Sequence, residues 1–367
     1  MHINQLRLTN FRNFSQLDLS PSPTINFIYG ANGAGKSSIL EAIHVLGFGR
    51  SFRTNKPNSI INASETNVES ATVFSNYEAL DTTHKIGFSR SRQDGFTFNI
   101  DGEKSVRVGD IVRKVPVQIF TPQSSELIVG SPSLRRKYID WLLFHVEQSF
   151  YLANSSYTKV LKQRNAFLKS TNVTGIGNTD FFDSWLPQLE NFGLRIDAHR
   201  KSYINDLNKE LITLYAQFRP EINVEIRYNQ GWDKDSSLSE ALNTKLERDL
   251  IRGFTSVGPH KADLVFLVDG KPASEFLSRG QLRVFVSLLL IAEVKLLKRK
   301  TNKNTIFLVD DISAELDDAT KEFFLDKAVE DSTQLFVTAI EKDQLSFIEK
   351  YKNKKVFHVK HNSVFEE

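Results

Sequence analysis

Gly30-Ala31-Asn32-Gly33-Ala34-Gly35-Lys36-Ser37 decides how this chain is read. It satisfies G-x-x-x-x-G-K-[ST], and the chemistry needs each residue type. The glycines let backbone N–H groups curl around nucleotide phosphates, Lys36 reaches the phosphate oxygens, and the Ser37 hydroxyl is offered to Mg²⁺. The flanks fit as well. Ile25 to Tyr29 is an almost wholly apolar run that predicts a strand entering Gly30, and Ser38 to Leu46 predicts a helix with Ile39, Ala42, Ile43 and Leu46 on one side. The candidate phosphate-binding set is therefore Gly30, Ala31, Asn32, Gly33, Ala34, Gly35, Lys36, Ser37 and Ser38.

A second element stands far away in the chain. Thr305-Ile306-Phe307-Leu308-Val309 reads as a buried strand that delivers Asp310 and Asp311 at its C-terminal end, the ligand edge of an α/β sheet. Asp310 is the candidate Mg²⁺ residue beside Ser37, and Asp311 the candidate that polarises attacking water.

Working outward, the chain has 367 residues, 40% of them hydrophobic and 25% charged, the profile of one large folded domain or two ordinary ones. The longest nearly apolar run, Val284 to Ala292, is about half of a bilayer span, which argues against an integral membrane protein. The start, Met1-His2-Ile3-Asn4, is polar at once and shows no signal-peptide core. Cysteine is absent, so disulfides, Cys-ligated metals and a thiol nucleophile are excluded. Net charge is only +3, but between Leu134 and Ser170 seven basic residues (Arg135, Arg136, Lys137, Lys159, Lys162, Arg164, Lys169) face two acids, Asp140 and Glu147. Any electrostatic footprint is expected there, against the alternative of a solvated helix face.

The N-terminal third predicts strands: Leu6 and Leu8, then Leu17 and Leu19, alternate with polar residues. Turn dipeptides at Asp94-Gly95 and Asp101-Gly102 mark a meander within Ala71 to Glu103, and Val115 to Phe120 reads as another buried strand. From Ser133 to about Tyr215 the spacing is helical, interrupted by a polar stretch from Ser170 to Thr179. A hairpin is expected at Leu264 to Val268 with Asp269-Gly270, and a long helix over Gln281 to Lys298. The expected organisation is a discontinuous α/β body, residues 1–122 with 252–367, carrying an inserted mainly helical domain at 123–251.

Leu277-Ser278-Arg279-Gly280-Gln281 opens that long helix and resembles the Leu-Ser-x-Gly-Gln signature of the ABC-type ATPases. Ser278, Gly280 and Gln281 then suit a γ-phosphate at a helix N-terminus. The resemblance implies that the signature meets the nucleotide of a second subunit, so that ATP joins a homodimer. Ser313-Ala314-Glu315-Leu316-Asp317 resembles the D-loop of the same superfamily. About 240 residues separate Lys36 from Ser278, which argues against a transporter subunit and for an insertion, as in the DNA-repair and chromosome-maintenance branch.

Further stretches narrow the resemblance. Leu8-Thr9-Asn10-Phe11-Arg12-Asn13-Phe14, Gly49-Arg50-Ser51-Phe52-Arg53, Gly130-x-Pro132-x-x-Arg135-Arg136-x-x-x-Asp140, Lys162-Gln163-Arg164-Asn165 and Gly258-Pro259-His260-Lys261-x-Asp263 are similar to the RecF family of bacterial DNA replication and repair ATPases. The colinear match runs from the first residues to about Ile340. It implies an ABC-type α/β head of mixed β-sheets with an inserted helical lobe, in a cytosolic protein. ATP with Mg²⁺ is the implied cofactor, and a weak DNA-dependent ATPase serves as a switch. The implied partners are single-stranded DNA and single-/double-strand junctions, together with RecO and RecR, in support of RecA loading at gaps and SOS induction.

By the same resemblance Gln123 is the candidate Q-loop residue, with Gln118 as its competitor. Arg12 is either a nucleotide contact or a surface residue, His260 either a ligand contact or a turn anchor, and Arg50 and Arg53 either phosphate contacts or partners of acids. Lys159, Lys162 and Lys169 fall within about 80° of one helix face and, with Arg135 and Arg136, are the DNA candidates. Two departures from the wider superfamily stand out: Asp311 replaces the usual glutamate, and Phe336-Val337-Thr338-Ala339 puts a threonine where a histidine is usual. Slow hydrolysis is therefore expected, because a hydroxyl cannot carry charge. The alternative, the ATPase lobe of an overcoming-lysogenisation-defect type nuclease, expects a catalytic domain after the ATPase, and only about 50 residues follow Asp317.

Overall fold

The computed structural model describes residues 1–63, 68–79, 82–105, 109, 114–174, 184–330 and 333–367, with backbone alone at 171–174, 314–315 and 345–347. The chain divides into two compact units, residues 1–124 with 279–367, and residues 125–278.

The first unit begins with β1 (His2–Phe11) and β2 (Phe14–Leu19), an antiparallel pair whose alternating leucines face the core, followed by β3 (Ile25–Tyr29), apolar but for the buried Asn26. The phosphate loop leads into α1 (Lys36–Phe48), which starts at Gly35 (φ 117°) and stops at Gly49, whose N–H donates to Val45 O. Four strands, β4 (Ser70–Ala79), β5 (Thr82–Ser91), β6 (Gly95–Ile100) and β7 (Glu103–Ser105), extend the first sheet in the order β2-β1-β4-β5-β6-β7. β8 (Val117–Phe120) starts the second sheet. One hydrophobic cluster runs through α1 and joins residues of both sheets, including Leu6, Leu8, Ile39, Ile43, Val117 and Leu308. α1 is thus buried on nearly every side, which is why its apolar residues do not keep to one stripe.

The second unit holds three long helices, α2 (Pro132–Val146), α3 (Gln148–Thr174) and α4 (Leu186–Phe218). In α4 the buried residues Leu189, Ile196, Tyr203, Leu207, Leu211 and Leu214 recur at spacings of three, four and seven, the mark of a one-sided helix. A three-stranded antiparallel sheet follows, β9 (Val224–Asn229), β10 (Asp263–Val268) and β11 (Lys271–Pro272), in the order β11-β10-β9. The expected hairpin is present, with Asp269 (φ 49°) and Gly270 (φ 76°) at its turn. Because β10 pairs with β9 along its whole length, residues 252–278 belong to this unit, and the chain returns at Arg279 rather than at 252. The polar stretch expected from Ser170 to Thr179 leaves the described residues after 174.

The first unit resumes with α5 (Arg279–Thr301), β12 (Ile306–Val309), α6 (Asp318–Glu330), β13 (Gln334–Ala339), β14 (Lys354–Lys360) and β15 (Ser363–Glu366). The second sheet has the order β15-β14-β3-β13-β12-β8, parallel except for β15. This is an α/β fold with mixed sheets, as the sequence led one to expect. The parallel order puts the C-terminal ends of β3, β13, β12 and β8 on one edge, so residues 30, 340, 310 and 121 leave the sheet side by side.

Candidate nucleotide site

At that edge the loop is tied to the sheet by Gly30 N–H donating to Ile340 O at 3.2 Å. Ser37 Oγ donates to Asp310 Oδ1 (2.9 Å), and so does Thr338 Oγ1 (2.9 Å), while Thr338 Oγ1 accepts from the N–H of Asp311 (2.8 Å). Residues 37, 310 and 338 therefore meet although roughly 270 positions of chain separate the first from the second. Lys36 Nζ donates to Gly30 O (2.6 Å) and Ala31 O (3.1 Å). Burial pulls the Lys36 ammonium below its ordinary pKa, opposed by the charges of Asp311 and Asp310.

A cavity of about 440 Å³ opens over the loop, lined among others by Asn32, Gly33, Gly35, Lys36, Ser37 and Ser38. The loop's shape depends on glycine. Gly33 has φ 80°, and a Cβ on Gly35 would sit 2.6 Å from Asn13 Nδ2 and 2.7 Å from Phe14 Cζ. The residues fit a nucleotide triphosphate with Mg²⁺. Mg²⁺ keeps most of its shell as water and phosphate oxygen, so one hydroxyl and one carboxylate suffice from the protein. Asp311 Oδ1 is buried and, among the described residues, has no hydrogen-bond partner. Asp311 itself sits in a left-handed conformation (φ 53°) at the start of the Ile312–Glu315 turn, held there through Thr338.

Arg12 lies on the cavity wall, but its donors are engaged. Nε and Nη2 bind Glu41 (2.8 and 2.5 Å) and Nη1 binds Ser59 O (2.6 Å). Arg53, also on the wall, has Nη1 at 3.7 Å from the same Glu41. Glu41 is wholly buried in α1 and escaped the sequence reading. Its signal was a lone carboxylate among apolar and small residues on a helix that follows a phosphate loop. Arg50 is exposed, and its carbonyl is 2.9 Å from His44 Nδ1.

Gln118 is buried in β8, and its Nε2 donates to Glu293 Oε2 at 2.5 Å, with the Glu293 carboxyl pushed well above the usual range by burial. Gln118 is thus committed to α5. Gln123 is exposed in the turn Pro122–Ser125, beyond the same edge of the sheet as Asp310. Ser278, Arg279, Gly280 and Gln281 are all exposed, and a Cβ on Gly280 would meet nothing within 4 Å.

The basic stretch is thinned by its own fold. Arg135 binds Asp263 through two nitrogens (2.6 and 3.1 Å) and also Ile128 O and Gly130 O, and Arg136 binds Ala262 O at 2.7 Å. Arg164 is buried against Asp249 and Thr255 (3.0 and 2.5 Å). These contacts brace the second unit: Arg135 has all three guanidinium nitrogens engaged, and Arg136, half-buried, gives Nη1 to the backbone. His260 is likewise an anchor, with Nδ1 at 2.9 Å from the Tyr157 hydroxyl and Nε2 at 2.9 Å from Thr255 O; burial lowers its pKa to about 4. Lys159, Lys162 and Lys169 are exposed on α3, and among the described residues no acid pairs with them.

Comparison with known proteins agrees with this geometry. Residues 2–364 match the RecF/RecN/SMC N terminal domain family. The chain is 48% identical over 367 residues to the DNA replication and repair protein RecF of Pseudoalteromonas atlantica, covering all of both chains. It is 39% identical over 364 residues to that of Shewanella sediminis, covering 99% of each. A solved structure of the recombination mediator protein RecF with ATP, from the RecFOR pathway, superposes with a TM-score of 0.89 at 28% identity, over 100% of this chain and 97% of that one. An Smc head bound to the C-winged helix domain of ScpA shares the fold, with a TM-score of 0.58 at 16% identity over 100% of this chain and 98% of that one.

Proposed function

The chain belongs to the RecF/RecN/SMC N-terminal domain family, and from that premise we propose that it is an ATP-operated DNA repair and replication switch. ATP closes a homodimer, the dimer binds single-stranded DNA and single-/double-strand junctions, and hydrolysis releases it. The observation that carries the reading is the convergence of Ser37, Asp310 and Thr338 beside the phosphate loop.

Lys36 and the loop amides bind the β- and γ-phosphates, and Ser37 with Asp310 holds Mg²⁺. The bound ion neutralises phosphate charge. Asp311, whose Oδ1 is unpartnered, orients the attacking water and takes its proton. Thr338 has one proton, which it gives to Asp310, and it accepts the N–H of Asp311, so it has no hydrogen left for a γ-phosphate. Hydrolysis should therefore be slow, and ATP acts as a timer. Gln123 is the residue proposed to sense the nucleotide from the neighbouring strand end.

The exposed signature Ser278, Gly280 and Gln281 is proposed to meet the γ-phosphate of a second copy. RecO and RecR are the proposed partners, with RecA loading at gaps and SOS induction as the outcome. A cytosolic site of action follows from that work; among the described residues no helix is long and apolar enough to cross a membrane.

Sedimentation with ATP, with ADP and without nucleotide tests the core of the reading. ATP alone should double the mass, Ser278→Arg should keep ATP binding but stay monomeric, and Asp311→Asn should prolong the dimer. One mass in all three conditions, at concentrations far above the dissociation constants of ordinary switches, would end the dimer mechanism.

A further inference from the structure

The second unit carries a groove of about 430 Å³ that the nucleotide site does not use. Its floor is aromatic and its rim is basic. Phe144, near the end of α2, and Tyr151, in the first turn of α3, lie with ring centroids 5.9 Å apart, both half-buried. Phe144 is backed by Phe150, 5.4 Å away and fully buried, so the aromatic floor is fixed by the core rather than loose on the surface. From Tyr151 the groove follows one face of α3 through Ser155 and Thr158 to Lys159 and Lys162, all four exposed. The lining holds two lysines and no acid.

This order of groups has a chemical meaning. Tyr151 and Lys162 are eleven residues apart on α3, or roughly 16 Å at the helical rise. That span matches two to three nucleotides of an extended single strand. A partly exposed tyrosine at one end and ammonium groups at the other suit an unpaired base stacked on Tyr151 with the following phosphates on Lys159 and Lys162. A duplex offers phosphates to the lysines but keeps its bases stacked on each other, so it cannot use the aromatic end. We infer that the α2–α3 groove binds single-stranded DNA, with Tyr151, held edge-to-face against Phe144, stacking an unpaired base and thereby separating a single-stranded end from duplex. This rests on the functional reading above and adds to it the site and the residues that discriminate.

The test compares a fluorescein-labelled single-stranded dT oligonucleotide with a duplex of mixed sequence, both with ATP and Mg²⁺, in one salt series. Tyr151→Leu keeps an apolar side chain against Phe144 and should weaken oligonucleotide binding about tenfold to a hundredfold, with duplex affinity unchanged. Lys159→Gln with Lys162→Gln should weaken both DNAs and lower the salt slope by about one to two units. ATP binding and the thermal midpoint, measured on the same preparations, identify a misfolded variant. In that event Tyr151→Trp supplies the same test, because stacking should quench its fluorescence on dT but not on duplex. Equal loss on both DNAs with Tyr151→Leu, or no loss on either, overturns the inference while leaving the DNA switch standing. A wild-type protein that binds neither DNA overturns both.

Discussion

Replacing Thr338 by valine takes one hydroxyl from the centre of the nucleotide site and leaves its volume almost unchanged. Thr338 is fully buried, and Oγ1 lies 2.9 Å from Asp310 Oδ1 and 2.8 Å from the N–H of Asp311. Valine loses a contact to a charged group, worth roughly 1.5–3 kcal/mol, and strands the Asp311 N–H, which costs roughly 1–3 kcal/mol where water cannot reach it. Asp310 keeps Ser37, and the two losses share one network, so they do not add in full. A destabilisation of about 2–4 kcal/mol is expected, or a fall of roughly 4–16 °C in the thermal midpoint for a unit of this size. Hydrolysis should also fall, by up to about a hundredfold, because the left-handed Asp311 backbone is held through that bond and a displaced carboxylate no longer meets its water. Thr338→Ser retains the hydroxyl and should hydrolyse ATP nearly as wild type does. Phosphate release, ATP binding and thermal melting on the three proteins decide the matter. A valine variant that melts within about 2 °C of wild type and hydrolyses ATP at the wild-type rate would refute the claim that Thr338 sets this site.

Lys36→Ala should weaken ATP binding roughly tenfold to a hundredfold, the loss of a charge-assisted contact, with an unchanged melting profile; calorimetric titration reads it directly. Glu41→Gln should destabilise the first unit by about 2–4 kcal/mol, since it leaves Arg12 and Arg53 without their shared carboxylate, and denaturant unfolding checks this. Acid should weaken the fold through two histidines. Burial sets His260 to about 4 and His44 to about 3, below the roughly 6.5 of a free imidazole. The unfolded chain therefore takes up protons first, and stability present at pH 7 is lost as pH falls from about 6.5 towards 4. His260→Asn should flatten part of that slope, and a thermal midpoint that stays constant from pH 7 to 4.5 would contradict the burial of both rings.

The parts of the site that depend on local chain order were open to reading from the sequence. The loop at 30–37 needs its glycines and lysine at fixed spacing, and a strand ending in Asp310 reports the sheet edge by itself. Charge was harder to read. Arg135 and Arg164 look like surface cations because their carboxylates, Asp263 and Asp249, stand 128 and 85 positions away, and no periodicity signals such a pair. Glu41 is hidden for the same reason, being defined by Arg12 from the turn after β1 and Arg53 beyond α1. The alternation of strand, turn and helix that resumes at Gly253 places the return of the chain to the first unit at 252. The pairing of β10 with β9, a long-range register, carries it to 279.

β3 has a history during synthesis that its finished place conceals. Its two neighbours are β13 and β14, and Ile25 pairs with Leu335 on one side and with Lys354 on the other. A ribosome adds roughly 5–20 residues each second, so the strand feeding the phosphate loop waits about 15 to 60 seconds with both edges bare. No partly made chain can hold the loop on its sheet. The competence to bind nucleotide arrives only after β13 and β14 have been made and close around β3, and a chain stopped before them cannot compete for ATP. The same interval leaves Ile25-Asn26-Phe27-Ile28-Tyr29 open to strand addition from another chain, so slow or interrupted synthesis should produce aggregates seeded at this stretch.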